Sequence, residues 1–590
     1  MSADQLKYPE KMKPTALSSS KLLPVSLALT CVSFSSWSIA QEAPNAGTLQ
    51  NQLELQLQRE SKAPLIQPSK PEKVPEKKQG QQITLKQFRF EGNTLFSNSQ
   101  LEEVVKPWIG KSVYLNELQD AAATIQEFYA ASGRIAQATL PPQEIKDGVV
   151  IIKILEGKMG SVIVEPANTS DNANFRFSPD RAKSFITRSL DGEAFINTQR
   201  IERAMLLLNE VPGVAATGSF EAGNDSGFSN FKVRVSDTPF FTGQAALSNY
   251  GSTSTGTVQA IANLSLNNLS GIGDQIYINA IQSQGSYYAV GNYMLPVGTD
   301  GWSVGLQSSY LNYETLPKWS SVETAGSATT FQANSTYALE RSQAKNSTVK
   351  LSIESRSYNN VQANPLTTLS NYRLTASGAS ISGNGAMSDG SVFNYSTGLV
   401  VGHLDIRDLT QSQQDQSGPG TAGSYSKLTF NLSFAKDLSF LPGTTWTNSV
   451  YGQLASKNLN SSEQIYMGGA YGVRAYPTSQ GGGSQGAIFS TELMQRFNQN
   501  WQVGVFGDIG FVQQYVNLYS NWQGLTNANN SYQLSDVGIS AKYFNNGAVL
   551  SASLAFRVGD NPLYNSSGQQ LNVDNSYKAI QAWVRASIPF

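Results

Sequence analysis

The feature that most constrains this chain is a period-two alternation that recurs from about residue 237 to its last strand. Leu428, Phe430, Leu432 and Phe434 alternate with Thr429, Asn431 and Ser433. Val349, Leu351 and Ile353 alternate with Lys350, Ser352 and Glu354, and Leu550, Ala552, Leu554 and Phe556 with Ser551, Ser553 and Arg557. Successive side chains of a strand point to opposite faces, so each run has one apolar and one polar side. A soluble sandwich alternates too, but its strands are shorter and its polar face meets bulk water. Here the polar face is small and only occasionally charged, which suits a water-filled lumen, while the apolar face suits lipid. An open edge in lipid would leave backbone groups unsatisfied, so the sheet must close. With strands of about 9–11 residues, short turns on one side and longer loops on the other, roughly 22 residues serve each strand. Residues 237–590 then form an all-β transmembrane barrel of about sixteen antiparallel strands. Segments 317–335 and 408–424 read as the longer outside loops.

Composition narrows the function. Only 14% of the 590 residues are charged, the net charge is −1, and Gly numbers 50. Nucleic acid as a partner would call for a basic face, which this balance does not supply. Aromatics at 10% argue against disorder. Residues 1–40 read as an export signal, with Lys7, Lys11, Lys13 and Lys21 ahead of an apolar run and Ser38-Ile39-Ala40 as the cleavage end, so cutting is expected after Ala40. The single cysteine, Cys31, falls inside that signal, and the single histidine, His403, cannot build a His-based metal cluster. No metal, cofactor or catalysis is expected. Gly482-Gly483-Ser484-Gln485-Gly486 fits G-x-S-x-G, but that motif needs a strand–turn–helix elbow and a histidine base.

Ahead of the barrel, 41–62 carries Leu49, Leu53 and Leu57 four apart among Gln, Asn and Glu, a helix with a very narrow apolar stripe. Such a helix suits a wet channel or a disordered leader equally well. Residues 63–82, with Pro64, Pro68, Pro71 and Pro75, read as an extended linker. Residues 83–159 then read strand–helix–helix–strand–strand: a strand at Ile83, Leu85 and Phe90, a capping box at Ser99-Gln100-Leu101-Glu102, and a helix lined by Leu115, Leu118, Ala122, Ile125 and Tyr129. Residues 160–236 repeat the order, with Ser178-Pro179 as cap and first turn and Ile201, Ala204, Met205 and Leu208 lining the second helix.

Two isolated charges stand out within the barrel region. Arg474 lies in the Gly-rich stretch Met467-Gly468-Gly469-Ala470-Tyr471-Gly472-Val473-Arg474-Ala475-Tyr476, and Asp508 in the strand-like Phe506-Gly507-Asp508-Ile509-Gly510. A planar guanidinium can hold a carboxylate through two hydrogen bonds, so the two are expected to pair. Val473, Arg474, Ala475 and Tyr476 resemble the V-R-G-F/Y tip of the inward-folded loop of two-partner secretion outer-membrane transporters (the TpsB, haemolysin/filamentous-haemagglutinin secretion-activation type). Phe506, Asp508 and Gly510 resemble that superfamily's F-x-D-x-G wall motif, with Ala475 standing where Gly is more usual.

The resemblance implies two small α+β POTRA domains at 83–159 and 160–236, a helix at 41–62 that plugs the pore, and Phe590 as the signal for barrel insertion. It also implies partners: a secreted exoprotein bearing an N-terminal secretion domain, outer-membrane lipid, and the barrel assembly machinery during biogenesis. The function expected is secretion, with or without activation, of a large adhesin, haemagglutinin or haemolysin. An insertase for other barrels, from the same superfamily, is the alternative; such proteins usually carry more periplasmic modules than the two that fit here. A passive pore for small solutes would leave both modules without work.

Overall fold

The computed structural model describes residues 45–60, 82–167, 176–318, 323–363, 365–523, 529–564 and 568–590. The expected signal peptide with its Ala40 cleavage point, and nearly all of the expected 63–82 linker, lie outside the described residues.

Among the described residues, sixteen antiparallel strands close into one barrel, from Phe241–Ser248 to Ile580–Pro589. Closure runs through the pairing of these two end strands, Arg585 opposite Ser248 down to Pro589 opposite Gln244. Phe590 extends the seam: its N–H donates to the Gly243 carbonyl at 2.9 Å and its carbonyl accepts from the Gly243 N–H at 3.0 Å. Gly243 leaves room for the Phe590 ring, which a Cβ there would strike at 2.4 Å. The last strand turns Ile580, Val584 and Ile588 outward and buries Trp583 and Ser587. Leu351, Ile353, Leu399, Val401 and Leu432 are likewise exposed outward, as a lipid-facing surface requires.

Most of the strands are taller than the expected 9–11 residues, although the first three and the last two are not. Thr367–Ala386 has 20 residues and Thr324–Arg341 has 18, and the latter runs through most of the segment 317–335 that reads as a loop. Its run Thr324-Ala325-Gly326-Ser327-Ala328-Thr329-Thr330 holds only small side chains, so alternation leaves no trace there. Backbone pairing with Trp302–Glu314 and Lys345–Gln362 extends the strand regardless. The other expected loop, 408–424, does carry non-strand structure: a short helix, Leu409–Ser417, capped by Asp408.

Each module ahead of the barrel is a three-stranded sheet backed by two helices. In the first, Val149–Glu156 lies between Gln87–Glu91, parallel to it, and Ala136–Thr139, antiparallel. The capping box sits two residues earlier than the sequence pattern suggests. Ser97, not Ser99, accepts from the Gln100 N–H, and the Gln100 side chain returns to the Ser97 N–H at 3.0 Å. Helix Leu115–Ala131 buries Leu118, Ala121, Ala122, Ile125 and Tyr129 but leaves Leu115, its first residue, exposed. Glu156 anchors this core. It accepts from the Thr94 and Leu95 N–H groups at 2.8 Å each, the Tyr129 hydroxyl at 2.7 Å and the Thr94 hydroxyl. Burial pushes the Glu156 carboxyl up, but these donors outweigh it and hold it below its ordinary value. The stability it lends is therefore present above the usual carboxylate range and lost as the pH falls through it.

The second module pairs Lys158–Pro166 with Phe228–Asp237 and the latter with Val214–Ala222. Only Gly157 separates the last strand of the first module from the first strand of the second. Backbone bonds from Ile196 N–H to Gly157 O (2.9 Å) and Thr198 N–H to Gly133 O (2.9 Å) join the two, beside an Arg134–Glu193 ion pair of 2.6 Å.

Candidate functional site in the barrel lumen

Strand Trp501–Gln513 turns Phe506, Asp508, Gly510 and Val512 into the lumen, every second residue as pleating demands. Gly510 makes space, because a Cβ there would lie 3.0 Å from both Met467 Sδ and Val473 Cγ2. Into that space folds the segment between strands Thr444–Ala455 and Gln485–Arg496. Its base is pinched by a two-residue pairing of Ile465–Tyr466 with Gly482–Gly483. Its tip is a tight turn in which a Cβ on Gly472 would meet the Met467 carbonyl at 2.0 Å, so a side chain is excluded there.

Arg474 sits at that tip. Its Nε donates to Asp508 Oδ2 at 2.7 Å and its Nη2 to Asp508 Oδ1 at 3.0 Å, a fork-on-carboxylate pair. The Arg474 N–H adds a longer contact to Oδ2, 3.4 Å, and Nη1 reaches Glu492 Oε2 at 3.4 Å. The guanidinium lies over the Phe506 ring, 3.3 Å from its centroid, a cation–π placement that Lys could not reproduce with the same planar stack. The Asp508 side chain has 0% exposure and that of Arg474 12%, so the pair is dry.

The neighbouring strand Ser531–Asn545 sets Asp536 directly across from Asp508. Like charges in register repel, and the loop separates their duties: Arg474 takes Asp508, while Asp536 Oδ2 accepts from the Ala475 N–H at 2.6 Å. Trp583, on the last strand, donates from its indole N–H to the Arg474 carbonyl at 2.7 Å. Val473, Ala475 and Tyr476 are buried in one apolar cluster with Met467, Ile488 and Leu534. Ala475 stays outside the left-handed region, so its methyl is accommodated where the resembled motif has Gly. Tyr476 carries the Arg557 guanidinium 4.7 Å above its ring. The structure thus brings together Val473, Arg474, Ala475, Tyr476, Phe506, Asp508 and Gly510; Phe590 lies apart, at the seam. Asp536, Glu492 and Trp583 belong to the same site and sequence reasoning missed them. The available signal was Asp536 itself, a lone acid within the alternating run Leu534 to Ile539.

Helix Ala46–Glu60 occupies the lumen beside this loop. Leu49 and Leu53 are buried in a cluster with wall residues Tyr288, Leu311, Tyr313 and Tyr358. Ala46 joins the same cluster, Leu57 packs at its edge and Arg59 lies 4.9 Å over the Tyr451 ring; the other contacts are hydrogen bonds and ion pairs. Gln50 donates to Thr330 Oγ1 at 2.7 Å and Ser309 Oγ at 3.2 Å, the Ala46 N–H to Asn360 Oδ1 at 2.8 Å, and Asn51 to the Gln464 carbonyl at 2.9 Å. Glu54 meets Arg356 at 3.5 Å, but Arg356 is closer to Glu354, 3.1 Å. A cavity of about 440 Å³ adjoins the helix, lined by Glu54, Gln58, Arg356, Lys427 and Glu463 among others, polar and roomy enough to hold water.

Ser484 of the G-x-S-x-G stretch is buried at a strand edge and donates to the Gln514 carbonyl at 3.0 Å. His403 stands on the strand Val392–Ile406 and contacts Ser424 at 3.2 Å. Neither is part of a hydrolase elbow.

Residues 227–528, just over half of the chain, match the family described as haemolysin secretion/activation protein ShlB/FhaC/HecB. The chain belongs to that family. Residues 83–157 match the POTRA domain of ShlB type. Members of the ShlB/FhaC/HecB family are transporters, and this one is an outer-membrane transporter of the two-partner secretion type with its POTRA modules in the periplasm. The chain is 25% identical over 552 residues to the heme/hemopexin transporter protein HuxB of Haemophilus influenzae, covering 90% of this chain and 94% of HuxB. It is 25% identical over 451 residues to the outer-membrane transporter CdiB of Dickeya dadantii, 74% of this chain and 75% of that one. In fold it is similar to CdiB from Escherichia coli, TM-score 0.67 at 19% identity, over 94% of this chain and 100% of that structure.

Proposed function

We propose that this transporter receives its exoprotein on the periplasmic modules, through the exoprotein's N-terminal secretion domain, and threads it unfolded through the lumen that helix Ala46–Glu60 occupies at rest. The observation that carries the reading is the helix itself: a fully closed barrel holds a polar insert with a narrow apolar stripe and water-sized space beside it. Its apolar hold is limited to Ala46, Leu49 and Leu53, with Leu57 at the margin, so its departure uncovers only part of the wall cluster. The Arg474 loop stays in place as the lumen's fixed element, anchored to the wall at Asp508 and to the last strand at Trp583. Folding of the exoprotein outside, together with strand addition on the modules, biases its passage.

The remaining partners follow from the chain's surfaces. The outward apolar face meets outer-membrane lipid, and the terminal strand ending in Phe590 presents the barrel to the assembly machinery. The mature domains run as 41–62 for the helix, 63–82 for the tether, 83–159 and 160–236 for the modules and 237–590 for the barrel, after cleavage behind Ala40. The relatives' names include heme/hemopexin transport and CdiB-type transport, so the reading commits to a large exoprotein as the cargo class.

The deciding experiment looks for a gene for a large, signal-bearing protein beside this one, co-expresses that protein with this chain and follows it in the medium. Secretion that depends on this chain supports the reading. Recovery of many barrel proteins, and no single exoprotein, as bound clients would replace it with the insertase.

A further inference from the structure

The second module is fastened to the rim of the barrel by three arginines that together reach three periplasmic hairpin ends. Arg176 donates from Nη2 to the Asn267 carbonyl at 3.1 Å and to the Asn268 carbonyl, and its guanidinium lies 4.2 Å over the Phe240 ring. Arg181, in the first helical turn of Pro179–Ser189, donates to the Pro296 carbonyl at 3.1 Å. Arg203, on helix Thr198–Asn209, donates to the carbonyls of Asp300 at 3.2 Å, Ala338 at 2.5 Å and Leu339 at 3.4 Å. The acceptors lie at the periplasmic ends of three successive hairpins: Asn267, Pro296, Ala338 and Leu339 in the last residues of strands Gln259–Asn267, Ser286–Val297 and Thr324–Arg341, and Asn268 and Asp300 in the turns that follow.

Turn carbonyls at a barrel rim have spare acceptor capacity, and the guanidinium offers five donors in a fixed fork. One arginine can therefore span two or three of them. Beneath the arginines the contact is apolar and close. Leu207, Val211 and Phe177 share a cluster with the wall residue Ala338, and a Cβ on Gly273 would meet Val211 Cγ1 at 2.3 Å. This explains why helix Thr198–Asn209 buries Leu207 as well as the Ile201, Ala204 and Leu208 face: it packs on its own sheet and on the barrel at once.

We propose that Arg176, Arg181 and Arg203 are positioning residues for secretion, fixing the second module against three adjacent periplasmic turns so that receptor and pore act as one rigid body. The first module shares that rigidity through the Gly157 junction, where Ile196 N–H bonds to Gly157 O at 2.9 Å. The receptor does not swing toward the pore; the client moves along it. This rests on the reading that the modules receive the client, and the experiment keeps the two separable.

The sequence holds one cysteine, Cys31, so thiol chemistry at introduced positions in the full chain is easily controlled. A first measurement uses no client. Spin labels at Lys183→Cys, on the second module, and Met387→Cys, at the periplasmic end of the wall, report one narrow distance distribution in lipid vesicles. Arg176→Ala, Arg181→Ala and Arg203→Ala together broaden it. A broad distribution in the unaltered interface overturns the proposal whatever the client is.

The second measurement follows secretion of the neighbouring-gene exoprotein. At the edge of the interface the Gln343 N–H lies 2.7 Å from Glu202 Oε1, so Glu202→Cys with Gln343→Cys can be joined by a short bis-maleimide. The joined protein is expected to secrete at the unjoined level. The triple arginine variant is expected to lose secretion while its barrel stays folded by heat-modifiable mobility, and joining the cysteine pair in that background to restore it. A joined protein that no longer secretes, or a triple variant that secretes normally, overturns the proposal. If the unaltered chain exports nothing, the functional reading fails, and the distance distribution still decides the clamp.

Discussion

The inward loop meets the barrel wall through a carboxylate with 0% side-chain exposure, gripped at 2.7 and 3.0 Å by a guanidinium that also covers an aromatic ring. Helix Ala46–Glu60, in the same lumen, brings Glu54 to within 3.5 Å of an arginine that already has a nearer partner. One insert is held by a bidentate ion pair; the other is held by a few leucines, neutral hydrogen bonds and a shared arginine, and borders a cavity of about 440 Å³. Removing one partner of a buried pair costs ~3–5 kcal/mol because the other charge is left stranded. The Glu54 and Arg356 side chains are nearly as covered, at 19% and 15% exposure, but their contact is longer and Arg356 also has Glu354 and Glu463. The same lumen therefore holds one insert fixed by a pair that cannot be halved without stranding a charge, and one whose ion-pair partner is shared.

The sharpest way to break that contrast is Arg474→Ala. It strands Asp508 beside Asp536, its register partner, and the loop loses its fixed point. Secretion of the exoprotein is expected to collapse, while the barrel still inserts and shows heat-modifiable mobility on gels, since the sixteen strands close without the loop. Normal secretion by this variant would mean the anchored loop is not part of the transport path.

Next in size is deletion of 46–60, with Asn45 retained. Single-channel conductance in planar bilayers is expected to rise several-fold while exoprotein secretion persists, because the helix blocks the lumen without building it. Unchanged conductance would show that the loop alone limits the pore. Arg474→Lys should then fall between the wild type and Arg474→Ala in secretion. It keeps the charge but gives up the fork on Asp508 and the flat contact with Phe506. A lysine variant equal to wild type would reduce the anchor to a point charge.

Why was one insert legible in the chain and its surroundings less so? Arg474 and Asp508 are isolated charges among small and aromatic residues, and a lone charge in such a setting needs a partner. Asp536 obeys the same logic, yet its role depends on which strand lies beside Trp501–Gln513, and pairing register is written in no single segment. Glu492 and Trp583 look like ordinary strand residues until closure brings their strands to the loop. The strand count followed from mean spacing, but the division into strand and loop did not. Thr324–Arg341 opens with small side chains that carry no alternation and is held by its neighbours' backbones. Leu207 escaped notice for a related reason: its face of the helix packs on the barrel wall, beyond its own module.

The smallest expected effect is the finest test of the contrast. Glu54→Gln removes one charge from the group around Arg356 while keeping the side chain's length and its hydrogen bond with Gln50, which spans 2.7 Å. Arg356 still has Glu354 at 3.1 Å and Glu463 at 3.8 Å, so no cation is stranded as Asp508 is stranded by Arg474→Ala. With two carboxylates left to Arg356, the loss is expected to stay within ~1 kcal/mol, which shifts an equilibrium by about fivefold. The fraction of time that single channels spend in the helix-out, high-conductance state is expected to rise within that limit, with the conductance of that state unchanged. A larger rise would mean that Arg356 depends on Glu54 more than on Glu354 and Glu463, and that the helix is anchored much as the loop is. No rise at all would place the hold on the helix in its hydrogen bonds to Thr330, Asn360 and Gln464, whose removal one at a time would then be the next measurement.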